Sequence, residues 1–184
     1  MLDYINHFDQ LLILRVGELH NSYLDMIMIF FTHLGDFGVL WITLTILFIW
    51  IKQTRSIGYT LLTWFGICLI LGEGILKHSF NRLRPFQSLP EIHLQILAPI
   101  TSSFPSGHSS SAFCFAIIFS YFFYQKFPIY TILGWIVAIG IAVSRFYLQV
   151  HYISDIFVGI CIGIMSALLA IFISTRSFRT IISR

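Results

Sequence analysis

The sequence predicts an all-α, polytopic membrane helix bundle, with five to six transmembrane helices and an N-terminal amphipathic helix. Composition and apolar patterning predict it. Of 184 residues, 57% are hydrophobic and only 10% are charged, too little charge to cover a soluble domain of this length. The mean hydropathy is +0.85. Long apolar segments nearly free of charge follow one another along the chain. The length suits one membrane-embedded domain over residues 1–184, since no linker, low-complexity tract or repeat of usable period divides it.

At the N-terminus, Leu2, Ile5, Phe8, Leu12, Val16 and Leu19 recur at helical spacing, with Asp3, Asn6, Asp9, Gln10 and Glu18 between them. This pattern predicts a helix lying on the membrane surface. It lacks the cationic start and uninterrupted apolar centre of a cleaved signal peptide. Tyr23–Leu34 is short for a span; it crosses with its flanks or only dips in. Phe37–Ile51 carries no charge, and Ser56–Leu76 holds one acid, Glu73. Ser109–Gln125, Pro128–Ser144 and Ile156–Thr175 are uncharged. These last five segments approach the roughly 20 apolar residues a membrane helix needs, so five spans are expected, with Tyr23–Leu34 as a sixth candidate.

Lys and Arg orient the bundle. Lys52 and Arg55, Lys126, and the tail residues Arg176, Arg179 and Arg184 fall on one side, assigned to the cytoplasm of a cell-membrane protein. Lys77, Arg82, Arg84 and Arg145 fall on the opposite side, where chemistry rather than topology accounts for their retention. The formal charge of +3 is modest and comes mostly from the tail, with no nucleic-acid signature. Cys68, Cys114 and Cys161 stand singly in apolar segments and read as small core residues, neither metal-spaced nor a disulfide framework.

Three polar clusters converge on the outer side: KHSFNRLRP over Lys77–Pro85, PSGH over Pro105–His108, and SRFYLQVHYISD over Ser144–Asp155. Each ends a membrane segment. Arg offers forked donors to an oxyanion and Lys a point charge. Ser106 and Gly107 precede a helix whose N-terminal N–H groups suit an anion. His151 and Asp155 are four apart, so on a helix they share a face, with the carboxylate holding one ring nitrogen as N–H and freeing the other to attack. His108 remains as a general acid. Taken singly, Arg-Pro is a helix end, PSGH is a turn with a Ser106 cap, and a His–Asp pair is a structural hydrogen bond. Their shared side and spacing favour a phosphoryl site instead. No carboxylate cluster suits Mg²⁺, so no metal or cofactor is expected.

The pattern K-x6-RP, PSGH, SR-x5-H-x3-D resembles the type 2 phosphatidic acid phosphatase superfamily, matched at Lys77, Arg84 and Pro85; at Pro105 to His108; and at Ser144, Arg145, His151 and Asp155. The resemblance implies a metal-independent membrane phosphatase. By that likeness His151 attacks phosphorus to form a phosphohistidine, Asp155 supports it and His108 protonates the leaving group. Lys77, Arg84, Arg145, Ser106 and Gly107 hold the phosphoryl oxygens. Compact bacterial members act on undecaprenyl diphosphate, phosphatidylglycerol phosphate or phosphatidic acid. The outward-facing site puts undecaprenyl diphosphate first, although some carrier phosphatases have Asp where Gly107 stands. Phosphatidylglycerol phosphate comes second, and a non-catalytic lipid-binding protein on the same scaffold is the alternative of another class.

Two expectations stand outside the motifs. Glu73, four residues before Lys77, is placed to aim the Lys77 ammonium as a supporting residue. The loop Phe86–Phe104, apolar for an extramembrane segment, either packs on the bundle or guides a lipid tail.

Overall fold

The computed structural model describes the backbone of residues 2–182 and the side chains of residues 4–176 apart from 69, 71 and 73. The expected segments all form helix. In chain order they are α1 (Leu2–Gly17), α2 (Ser22–Gly35), α3 (Val39–Trp50), α4 (Arg55–Cys68), the one-turn helices α5 (Lys77–Phe80) and α6 (Pro85–Ser88), α7 (Gly107–Phe123), α8 (Pro128–Tyr147) and α9 (Ile153–Ile182). Ser22–Trp50, Pro128–Tyr147 and Ile153–Arg176 are long and apolar enough to cross a membrane, while Gly107–Phe123 is apolar but shorter.

Two irregularities break this order. Between α2 and α3 the helix is interrupted at Asp36–Gly38, where Phe37 (φ 53°) and Gly38 (φ 66°) take left-handed backbone conformations. Glycine tolerates that region freely and phenylalanine does not. The expected short segment Tyr23–Leu34 therefore belongs to a broken helix whose second half is α3. Between α4 and α5, Leu69–Leu76 is a π-helix, a form found mostly where an α-helix is locally over-full. Asn81 (φ 36°) then ends α5.

The N-terminal helix forms as expected, with one difference at Asp9. Its face toward the protein carries Asp9, Ile13 and Val16, all buried, whereas Tyr4, Ile5, Phe8 and Leu11 point outward. Gln149 anchors it by donating to the Ile13 carbonyl at 2.8 Å. Asp9 thus sits inside the protein rather than on a wetted face, because a buried partner described below needs its charge.

The centre of the bundle is α7. Its Ala112, Cys114 and Ile118 pack with Leu61 and Trp64 of α4 and Ile141 of α8. Its closest neighbour is α9, where the chain uses glycine for proximity. A methyl added at Gly159 would stand 2.5 Å from the Ser106 carbonyl oxygen, and one at Gly163 would overlap that of Ser110. The four-residue Gly spacing brings two membrane helices into backbone contact. The start of α7, the Lys77–Pro85 segment and the α8–α9 turn consequently meet at one end. Cys114 is buried, and Cys68 and Cys161 are partly so; none of the three is in a disulfide.

Candidate active site

His151 lies on the turn between α8 and α9 and not on a helix, so the expected shared helical face with Asp155 is corrected. Asp155 stands in the first turn of α9 and folds back, accepting the Tyr152 N–H at 3.0 Å and the Ser103 hydroxyl at 2.5 Å. Its Oδ2 is 3.7 Å from His151 Nδ1, within electrostatic range but beyond a hydrogen bond. Two backbone bonds hold the turn: the N–H groups of Val150 and His151 both donate to the Arg145 carbonyl at 3.2 Å.

The other ring nitrogen, Nε2, is 3.2 Å from Arg84 Nη1. A guanidinium has only donors, so Nε2 presents its lone pair and the proton sits on Nδ1, toward Asp155. Burial pushes the His151 imidazole down to about 3, with the nearby Arg84 and Arg145 charges adding to it and Asp155 opposing it. The ring is therefore neutral at physiological pH, with its free lone pair on Nε2. Arg84 is itself buried and held by carbonyls: Nε donates to Thr101 at 2.7 Å and Nη1 to Val150 at 2.8 Å.

A cavity of about 430 Å³ opens beside these groups. Lys77, Arg84, Arg145, Ser106, Gly107, His108 and His151 all line it, so seven of the nine residues singled out from the sequence meet there. Arg145 is buried, donates through Nη1 to Thr32 Oγ1, and keeps an Nε donor with no partner among the described residues. Lys77 Nζ donates to Thr101 Oγ1 at 3.3 Å. Trp41, Trp64, Phe65 and Ile162 also line the cavity, so cationic and apolar groups share its wall.

Ser106 lines the cavity and also makes the helix cap that the sequence allowed. It is fully buried, and its hydroxyl caps α7 by accepting the Ser109 N–H at 3.4 Å. Its backbone N–H donates to the Asp155 carbonyl at 3.1 Å, tying α7 to α9. Asp155 does not line the cavity, and the side chain of Glu73 lies outside the described residues.

Three residues had no assigned role in the sequence reading: Arg82, Asp9 and Asp36. Arg82 bridges two buried carboxylates, donating to Asp155 Oδ1 at 2.6 Å and to Asp9 Oδ2 at 2.7 Å, with its guanidinium 4.3 Å over the Tyr152 ring. Burial works against its charge, but the two carboxylates more than offset this and raise it. Asp9 also accepts the Ser154 N–H at 3.2 Å, so α1 caps α9. Asp36, at the break before α3, lies 3.1 Å from His108 Nε2. Its signal was visible: it is the one acid between Asp25 and Glu73, inside apolar sequence. Among the described residues, no three His, Cys, Asp or Glu side chains cluster to hold a metal ion.

The model of the PAP2 superfamily matches residues 56–179. The undecaprenyl-diphosphatase of Sulfolobus acidocaldarius is 33% identical over 144 residues, covering 76% of this chain and 66% of that protein. Phosphatidylglycerophosphatase B of Bacillus subtilis is 31% identical over 118 residues, 56% of this chain and 55% of its own length. The chain thus spans less than two thirds of each relative. In fold it is similar to the crystal structure of a transmembrane PAP2 type phosphatidylglycerolphosphate phosphatase from Bacillus subtilis, with a TM-score of 0.77 at 24% identity over 94% of this chain and 87% of that one. The family match extends from α4 into α9 and takes in all three polar clusters, and the chain belongs to the PAP2 superfamily.

Proposed function

We propose that this membrane protein is a lipid-phosphate phosphatase working through a phosphohistidine. The observation that carries the reading is the neutral His151 ring, its Nε2 lone pair against Arg84, at a cavity walled by Lys77, Arg84 and Arg145. The three cations and the start of α7 at Gly107 take the phosphoryl oxygens, and the unpartnered Arg145 Nε is a donor for one of them. His151 Nε2 bonds to phosphorus as the bond to the lipid oxygen breaks, and His108 gives that oxygen its proton. Water then attacks phosphorus, the N–P bond breaks and inorganic phosphate leaves, with His108 taking the water proton. Asp155 steadies the charge on the His151 ring from 3.7 Å.

Undecaprenyl diphosphate is the first substrate, supported by likeness to an undecaprenyl-diphosphatase over 76% of the chain. Phosphatidylglycerol phosphate is the second, supported by likeness to phosphatidylglycerophosphatase B. The Lys and Arg distribution supports a multi-pass plasma-membrane protein with its site on the extracytoplasmic side. Purified protein in detergent, offered both lipids and phosphatidic acid, is expected to release phosphate fastest from undecaprenyl diphosphate and to keep doing so in EDTA. Loss of activity in EDTA that Mg²⁺ restores contradicts the mechanism. No release from any lipid leaves a lipid-binding protein.

A further inference from the structure

The break between α2 and α3 sets Asp36 against the acid side of the site. Asp36 Oδ1 lies 3.1 Å from His108 Nε2, and its Oδ2 takes His33 Nδ1 at 2.7 Å. The end of α2 also presses on the ring: a methyl added at Gly35 would stand 2.6 Å from His108 Cδ2. The imidazole is thus held at one edge by a carboxylate and against bare backbone beside it. An ionised carboxylate only accepts, so Nε2 carries a proton in this contact. Among the described residues Nδ1 has no hydrogen-bond partner on the protein, while His108 lines the cavity.

We propose that Asp36 is a positioning residue for the acid step: by accepting Nε2–H it fixes the tautomer and orientation of His108, so that Nδ1 is the nitrogen that delivers the proton to the leaving lipid oxygen. This rests on the phosphatase reading above. The resting ring is neutral with Nε2–H on Asp36, and Nδ1 takes a proton from solvent or from the attacking water of the preceding turnover. Nδ1–H then passes to the oxygen as its bond to phosphorus breaks, and the ring is neutral again. The Nδ1 lone pair then takes a proton from the attacking water, restoring the ring. The two histidines therefore use opposite nitrogens: His151 turns Nε2 to the reaction and Nδ1 toward Asp155, and His108 the reverse.

The test compares kcat/KM of wild type, Asp36→Asn and His108→Ala on a lipid phosphate and on dinitrophenyl phosphate, whose leaving group needs no proton. Asp36→Asn is expected to lose about a hundredfold on the lipid and less than about threefold on the aryl ester, as a loss of acid catalysis requires. The double variant is expected to be no worse than His108→Ala, since the two residues act as a unit. Equal losses on both substrates, losses that multiply, or faster turnover without Asp36 overturn the proposal while leaving a phosphatase. A wild-type chain active on neither substrate overturns the phosphatase reading and this proposal together. Nitrogen-15 NMR of wild type needs no variant to fold: neutral His108 is expected as the Nε2–H tautomer, and the Nδ1–H tautomer overturns the proposal.

Discussion

At the scale of single residues, the site is a matter of which nitrogen holds which proton. Burial depresses the His151 imidazole to about 3, against roughly 6.5 for an exposed histidine. Between those values the unfolded chain binds a proton that the folded chain refuses, so this contribution to stability is present above about pH 6.5 and is lost as pH falls toward 3. NMR titration in detergent is expected to find His151 uncharged at pH 5, and a charged ring there contradicts the burial argument. His151→Ala is expected to reduce phosphate release by about a thousandfold or more, because the other candidates at the cavity, such as His108 and Ser111, do not hold a ring nitrogen lone pair against Arg84 as His151 does. Arg82 belongs to the same scale. Removing it in Arg82→Ala leaves Asp9 and Asp155 buried and uncompensated, at a cost of about 3–5 kcal/mol, measurable by thermal unfolding in detergent. The three clusters were legible in the sequence because phosphoryl chemistry restricts residue type and spacing. Asp9 and Arg82 were not, since their meaning is a contact between positions 73 apart.

At the scale of elements, hydropathy located the helices and missed their defects. Apolar runs betray burial in lipid regardless of whether the backbone is α, π or interrupted, so neither the π-helix at Leu69–Leu76 nor the left-handed turn at Phe37 and Gly38 had a hydrophobic signature. The Gly-Asp-Phe-Gly sequence at the break carried the only hint. The amphipathic reading of α1 found the helix but not the burial of Asp9, because a buried acid is indistinguishable from a wetted one until its cation is placed. Gly35 tests the break directly. Gly35→Ala places a methyl against the His108 ring, with Ile141 3.3 Å behind, and is expected to lower lipid turnover more than it lowers the melting temperature. A fall in stability with full activity in the surviving protein contradicts that placement.

At the scale of the whole molecule, the loop over Phe86–Phe104 divides into two parts. Ile92 is buried, and Leu89, Leu94 and Ile96 pack with it against Ile13 and Tyr147. Leu97 and Ile100 are 95% and 100% exposed and flank Pro99, which lines the cavity. The two readings of the loop, packing on the bundle and guiding a lipid tail, thus apply to different parts of it. Leu97→Glu and Ile100→Glu are expected to slow long-chain substrates several-fold more than a short-chain phosphate, and Leu94→Glu to harm both equally through misfolding. Rates on substrates of graded chain length check this, and equal losses at Leu97 leave the exposed pair without a role in lipid binding.

The glycine contacts between α7 and α9 have a consequence for how such a protein diverges. Side chains can be exchanged, repacked or rotated, but two backbones in contact have no adjustable layer between them. Gly159 and Gly163 fix the gap between the helix that starts at the cavity and the helix that follows the His151 turn. Ile132, Ile136, Phe157 and Leu168 on α8 and α9 are exposed and lie outside this close backbone contact, so a change there leaves the gap as it is. Chemistry and lipid preference are thereby mechanically insulated, and one scaffold can change the lipids it serves without retuning its histidines.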